Sequence, residues 1–129
     1  MKIEEQVLSI EQMKHLQELG VDTSDASMCW LDFEDNEPME VAVFVPQIML
    51  GYATCKIYPT YTTGDLIEKL PKRIGVYYLL IDGDEIKYIR QETLFRSYFD
   101  FKDKSLVNAL YSCLCWVAEN HKELLEVKK

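Results

Sequence analysis

Cys113 and Cys115, one residue apart and followed by His121, are the residues whose types and spacing most directly invite chemistry. Thiolates and imidazole are zinc ligands, and a thiol beside a histidine is a nucleophile beside its base. The spacing opposes both. On a helix, side chains two residues apart point about 200° away from each other, so the two sulfurs cannot reach one ion. His121 lies two turns further along, past the expected helix end, and a tetrahedral site needs four convergent ligands. No Lys, Arg or His stands at helical spacing to hold Cys115 as a thiolate. Cys29 and Cys55 sit among Trp, Leu and Ile and read as small apolar packing residues. The chain is therefore expected to fold without metal, disulfide or cofactor, and no catalytic residue is assigned.

Asp32, Glu34, Asp35, Glu37 and Glu40 concentrate carboxylates in a short run with no base among them. A calcium loop would need glycine at its sixth position and glutamate at its twelfth, where Glu37 and Val43 stand instead. The run reads as an acidic hairpin turn kept in water, with a docking surface for a basic partner as the functional alternative. His15 borders the apolar and charged faces of one helix, and His121 falls where a cation would complement a helix C-terminus. Both are structural readings. Of the eight tyrosines, several lie on or beside expected strands, where aromatic pairs stabilise sheets. The more polar tyrosine face, formed by Tyr52, Thr54, Lys56 and Tyr58, is the candidate ligand- or partner-binding surface, and Trp116 joins it as a candidate contact residue.

A chain of 129 residues reads as a single domain, residues 1–129. With 48% hydrophobic and 28% charged residues its composition is that of an ordinary globular protein. A net charge of -8 opposes direct contact with nucleic acid or an anionic membrane surface, since both are polyanions. No run of apolar residues is long enough to span a bilayer, and the N-terminus lacks a basic segment followed by an apolar one. A cytoplasmic protein is expected.

The elements that must position these residues are well marked. Ser9 and Gln12 form a capping box, with Leu8 stapled to Met13, and Gly20 with Val21 offers a Schellman ending. Strands are expected over Ser27 to Phe33, Val41 to Val45 and Gly51 to Tyr58. A second capping box, Thr62 with Asp65, opens a short helix that Pro71 stops. Asp82-Gly83 signals a hairpin between Gly75 to Ile81 and Asp84 to Arg90. Taken as a two-residue loop, it pairs Tyr77 with Tyr88, Leu79 with Ile86 and Ile81 with Asp84, and the apolar first strand should be the more central one. From about Lys104 to Glu119 a helix is apolar over most of its circumference, with only a stripe of Asn108, Ser112, Cys115 and Glu119. Such a helix must be enclosed, and Trp116 should be buried in a core or at a subunit interface.

Three segments carry a resemblance: Ser9 to Gln12 leading through Glu18 to Ser24, Tyr58 to Thr62 with Asp65 to Lys72, and Leu106 to Asn120 around Leu114-Cys115-Trp116. Together they resemble small uncharacterised proteins of gut anaerobic bacteria, often encoded in prophage or mobile-element neighbourhoods. The segments from Asp32 to Gln47 and from Gln91 to Asp103 lie outside this likeness. The resemblance implies a cytoplasmic accessory protein of phage or mobile-element origin, and it supplies no ligand or catalytic residue.

The fold expected is α+β, with a mostly antiparallel sheet of four to five strands packed against the long C-terminal helix, and two shorter helices. The function expected is a non-enzymatic accessory role through protein–protein contact, the partner being another protein or a second copy in a homodimer. The competing reading is a small enzyme or small-molecule-binding domain whose site is dispersed in sequence.

Overall fold

The computed structural model describes residues 3–33, 38–44, 55–90 and 97–125. It is an α+β protein in which helix α1 (Ile10–Glu18) precedes strands β1 (Met28–Asp32), β2 (Glu40–Val43) and β3 (Lys56–Thr60). Helix α2 (Thr63–Lys69) leads to β4 (Arg73–Ile74), β5 (Tyr77–Asp82), β6 (Glu85–Arg90) and β7 (Ser97–Lys102), and helix α3 (Leu106–Asn120) follows. The chain falls into two compact units, Met1–Asp65 and Leu66–Lys129. Both sheets are antiparallel, in the orders β2-β1-β3 and β4-β5-β6-β7. The strands thus divide between two sheets instead of joining one sheet of four to five, because β3 adds to β1 and the chain after Pro71 starts a meander of its own.

In the first unit α1 begins and ends as its sequence dictates. Ser9 Oγ accepts from Gln12 N at 3.1 Å while Gln12 Oε1 accepts from Ser9 N at 2.9 Å. Gly20, at φ 90°, ends the helix, with Gly20 N donating to Gln17 O and Val21 N to Leu16 O, both at 3.0 Å. These two bonds are the Schellman pair. Met13 and Leu16 face inward. β1 lies between its neighbours, with Trp30 opposite Val41 on one side and Tyr58 on the other. The Leu8 carbonyl receives both Trp30 Nε1 at 2.9 Å and Thr60 Oγ1 at 2.6 Å, which pins the segment before α1 to this sheet.

The second capping box also forms. Asp65 N donates to Thr62 Oγ1 at 3.1 Å and Thr62 N to Asp65 Oδ2 at 3.0 Å. The same carboxylate oxygen receives Ser27 Oγ at 2.7 Å and Ser27 N at 3.1 Å, so one side chain both caps a helix and fixes the start of β1.

In the second unit the hairpin turns one residue later than expected. Gly83 and Asp84 form the loop, with Asp82 opposite Glu85, Ile81 opposite Ile86, Leu79 opposite Tyr88 and Tyr77 opposite Arg90. Gly83 thereby takes the first loop position with φ 61°, where a two-residue hairpin loop wants a residue of positive φ. Tyr77 and Tyr88 are not directly opposed. The face they share is as expected, because moving the pairing by two residues preserves the alternation.

The two strands also exchange their expected roles. β6 is the more buried, with Ile86, Tyr88 and Ile89 inside, whereas Leu80 on β5 is 41% exposed. Among the described residues β5 has only the two-residue β4 on its outer side, while β6 is paired along both edges. β7 pairs with β6 and was not anticipated, although the alternation of Phe99, Asp100, Phe101 and Lys102 is a strand pattern. α3 begins one residue after Ser105, whose hydroxyl caps Asn108 N at 3.4 Å. Its residues Val107, Leu110, Cys113, Leu114 and Val117 are buried.

Asp65→Ala should lower stability by roughly 1 to 3 kcal/mol, since it removes a cap and a charged acceptor together. Urea denaturation would read this as a lower midpoint at unchanged slope. Thr62→Ala, which removes only the cap, should cost about 1 kcal/mol.

Candidate functional site

The expected tyrosine face is only partly within the described residues. Tyr52 and Thr54 lie outside them. Lys56 is exposed at the start of β3, opposite Asp32, and Tyr58 is half-buried opposite Trp30. On this face Trp30 and Thr60 turn their polar atoms to the Leu8 carbonyl, so its hydrogen bonds hold the first unit together. Within the acidic run, Asp32 and Glu40 lie on β1 and β2, and residues 34–37 are outside the described set.

Nearby, Tyr61 is completely buried as a residue, yet its hydroxyl lies 2.6 Å from Asp25 Oδ1 and 2.8 Å from Asp22 O. Burial, reinforced by the hydrogen bond to Asp25 and the charges of Asp25, Asp22 and Asp65, holds this phenol well above its ordinary pKa. It is a tether between the end of β3 and the loop after α1, and not an acid that titrates near neutrality.

Trp116 belongs to the second unit and is the centre of an aromatic cluster. Its ring centroid lies 4.3 Å from Phe99, 6.0 Å from Phe101, 6.2 Å from Tyr88 and 5.3 Å from His121. Phe99 and Phe101 stack on each other at 5.5 Å. Trp116 is half-buried, not enclosed, and Phe99 is 41% exposed. The wide apolar arc of α3 is therefore packed against β6 and β7, with Cys113 against Tyr88, and left partly open at Trp116. Sequence reasoning missed Phe99 and Phe101, which meet Trp116 only because β7 pairs with β6, placing Phe99 opposite Tyr88 and Phe101 opposite Ile86.

Tyr88 underlies this cluster. Its ring is fully buried, its hydroxyl donates to Pro71 O at 2.9 Å, and it also hydrogen-bonds with the Cys113 thiol. Burial pushes the Cys113 thiol up to about 12, partly offset by its hydrogen bond with Tyr88. Tyr88 is likewise raised, first by burial and then by Cys113. Cys115 is half-buried and raised by burial, and its hydrogen bond runs to Tyr111. The two thiols of the Cys-x-Cys thus have different neighbours, as divergence on a helix requires. Among the described residues no three His, Cys, Asp or Glu side chains gather as a metal site would need. Likewise among them, no helix is long and apolar enough to cross a membrane.

No protein-family model, curated protein or solved structure matches this chain.

In the second unit the buried Cys113 thiol and Tyr88 phenol contribute to the alkaline limit of the fold, as buried Tyr61 does in the first. Cys113 and Tyr88 have folded pKa values above their ordinary values of 9.0 and 10.0, so the unfolded chain releases these protons first. Their contribution to stability is complete below pH 9 and is lost as pH rises toward the folded values. Unfolding free energy, followed by urea titration at increasing pH, should therefore fall above pH 9. Cys113→Ala combined with Tyr88→Phe should flatten that fall while lowering stability at neutral pH.

Proposed function

We propose that this chain is a non-enzymatic accessory protein that acts through protein–protein contact, and that the surface around Phe99 and Trp116 makes the contact. The observation that carries the reading is the 41% exposure of Phe99 beside a half-buried tryptophan at the outer strand of a sheet. Large apolar side chains left in water are unfavourable for an isolated fold, and aromatic residues are enriched at protein interfaces. Four aromatic rings converge there, and each is held by its neighbours before any partner arrives. Binding then orders few side chains, which lowers its entropic cost. The acidic balance of the chain favours proteins over nucleic acid as partners. The resemblance of its three segments to bacterial mobile-element proteins extends the proposal to a cytoplasmic setting and a phage or mobile-element origin.

Phe99→Ser tests the reading. Tagged parent and variant, purified under identical conditions and compared by quantitative mass spectrometry, should differ in one stoichiometric protein, which is retained by the parent and reduced about tenfold or more by the variant. Matching far-UV circular dichroism would show that the variant remains folded. Equal recovery with both, or a parent that retains no stoichiometric protein and is also monomeric by sedimentation, would refute the proposal.

A further inference from the structure

Among the described residues β7 is the outermost strand of its sheet, and its two faces differ in kind. Phe99 and Phe101 point to the side where Trp116 lies. Asp100 and Lys102 alternate with them on the opposite face, and both are exposed. On that face the register sets Asp100 opposite Lys87 and Lys102 opposite Glu85, while Lys87 Nζ lies 3.2 Å from Glu85 Oε1. The charges alternate both along and across the strands. Charged residues on an outer strand ordinarily discourage pairing with another chain. An alternating pair of opposite charges favours the register that continues the alternation.

Two copies related by a two-fold axis can join two such strands antiparallel, and directly opposed residues then share a face only if the axis passes through a residue. An axis at Asp100 sets that carboxylate against itself. An axis at Phe99 sets Asp100 against Tyr98 and forms no directly opposed pair of opposite charges. An axis at Phe101 opposes Asp100 to Lys102 of the second copy, and Lys102 to its Asp100, with the two Phe101 rings side by side. This register continues the charge pattern on one face and sets Phe101 beside Phe101 on the other, with Phe99 opposite Asp103 of the second copy, just past the end of the strand. Both copies of α3 then lie on the same side of one continuous sheet.

We infer that the partner of this surface is a second copy of the chain, joined by antiparallel pairing of the two β7 strands about Phe101. The inference rests on the reading above that this edge is a contact surface. Asp100 and Lys102 cancel locally, so the joined edges are neutral although each chain carries a net charge of -8. Long-range repulsion between the acidic chains is screened at moderate salt. A single pair of short strands buries little surface, which places the dimer among weak, reversible associations.

The test reverses one charge at a time. In Asp100→Lys each predicted pair becomes two lysines, and in Lys102→Asp it becomes two aspartates, so both variants should self-associate at least tenfold more weakly than the parent. An equimolar mixture places two lysines on one chain against two aspartates on the other, and should regain association at the parent level. Sedimentation velocity over a concentration series at moderate salt reads all four samples, with circular dichroism confirming that each variant is folded. Recovery in the mixture, with loss in each variant alone, supports the inference. A monomeric parent, self-association unchanged in the variants, or no recovery in the mixture each overturns it. A parent dimer that ignores both reversals but is lost in Phe99→Ser removes this register and leaves the contact surface standing. A monomeric parent whose stoichiometric partner is a different protein removes only the second copy.

Discussion

A tyrosine ring buried at the middle of a sheet brings its hydroxyl with it, and that hydroxyl must find partners where no water reaches. In the second unit Tyr88 is this residue. Its ring supports Trp116, while its hydroxyl reaches the Pro71 carbonyl and the Cys113 thiol. Three parts of the chain are thereby fixed to one atom: the turn after α2, the middle of β6 and the middle of α3. The aromatic cluster follows from this placement, since Trp116 is one turn beyond Cys113 on the same helix and meets whatever lies beside Tyr88. Phe99 lies there because β7 pairs with β6 in the register that opposes it to Tyr88.

The first unit meets the same constraint with a different residue. Tyr61 is buried just beyond β3, and its hydroxyl bonds to Asp25 and the Asp22 carbonyl, so the loop after α1 is held against the strand. Leu8 adds a second anchor, accepting from an indole and a hydroxyl on two adjacent strands. A carbonyl oxygen has two lone pairs, and both are used. Each unit thus places a polar atom inside its apolar core and satisfies it with main-chain oxygens distant in sequence, which is a more specific requirement than burial alone.

Local chemistry was legible in the sequence wherever neighbouring residues decide the outcome. The Ser9 and Thr62 capping boxes, the Gly20 ending and the faces of the β5–β6 hairpin all depend on residues a few positions apart, and all appear as read. The hairpin pairing did not follow, because Asp82-Gly83 and Gly83-Asp84 both make a two-residue loop, and the local residues do not choose between them. β7 escaped notice because its aromatic residues alternate with charges over only a few positions. Its importance depends on a neighbour that only the fold supplies. The candidate site shows the same division: Trp116 was visible on an apolar helix, whereas Phe99 and Phe101 required the sheet order.

The bridge between Val7 and Thr62, with the Leu8 amide on the Tyr61 carbonyl at 3.0 Å, joins chain positions more than fifty residues apart. In the second sheet, by contrast, β5, β6 and β7 each lie next to the strand that precedes them in the chain. Contacts between sequence neighbours close short loops and form early, while distant ones wait for a larger entropic cost to be overcome. During synthesis, the segment around Leu8 has its α1 turn available at once but lacks its sheet partner until Thr62 has left the ribosome. The later meander can zip strand by strand as it emerges. The two halves of this chain therefore carry different folding logics, one governed by the closing of a long loop and the other by successive local additions.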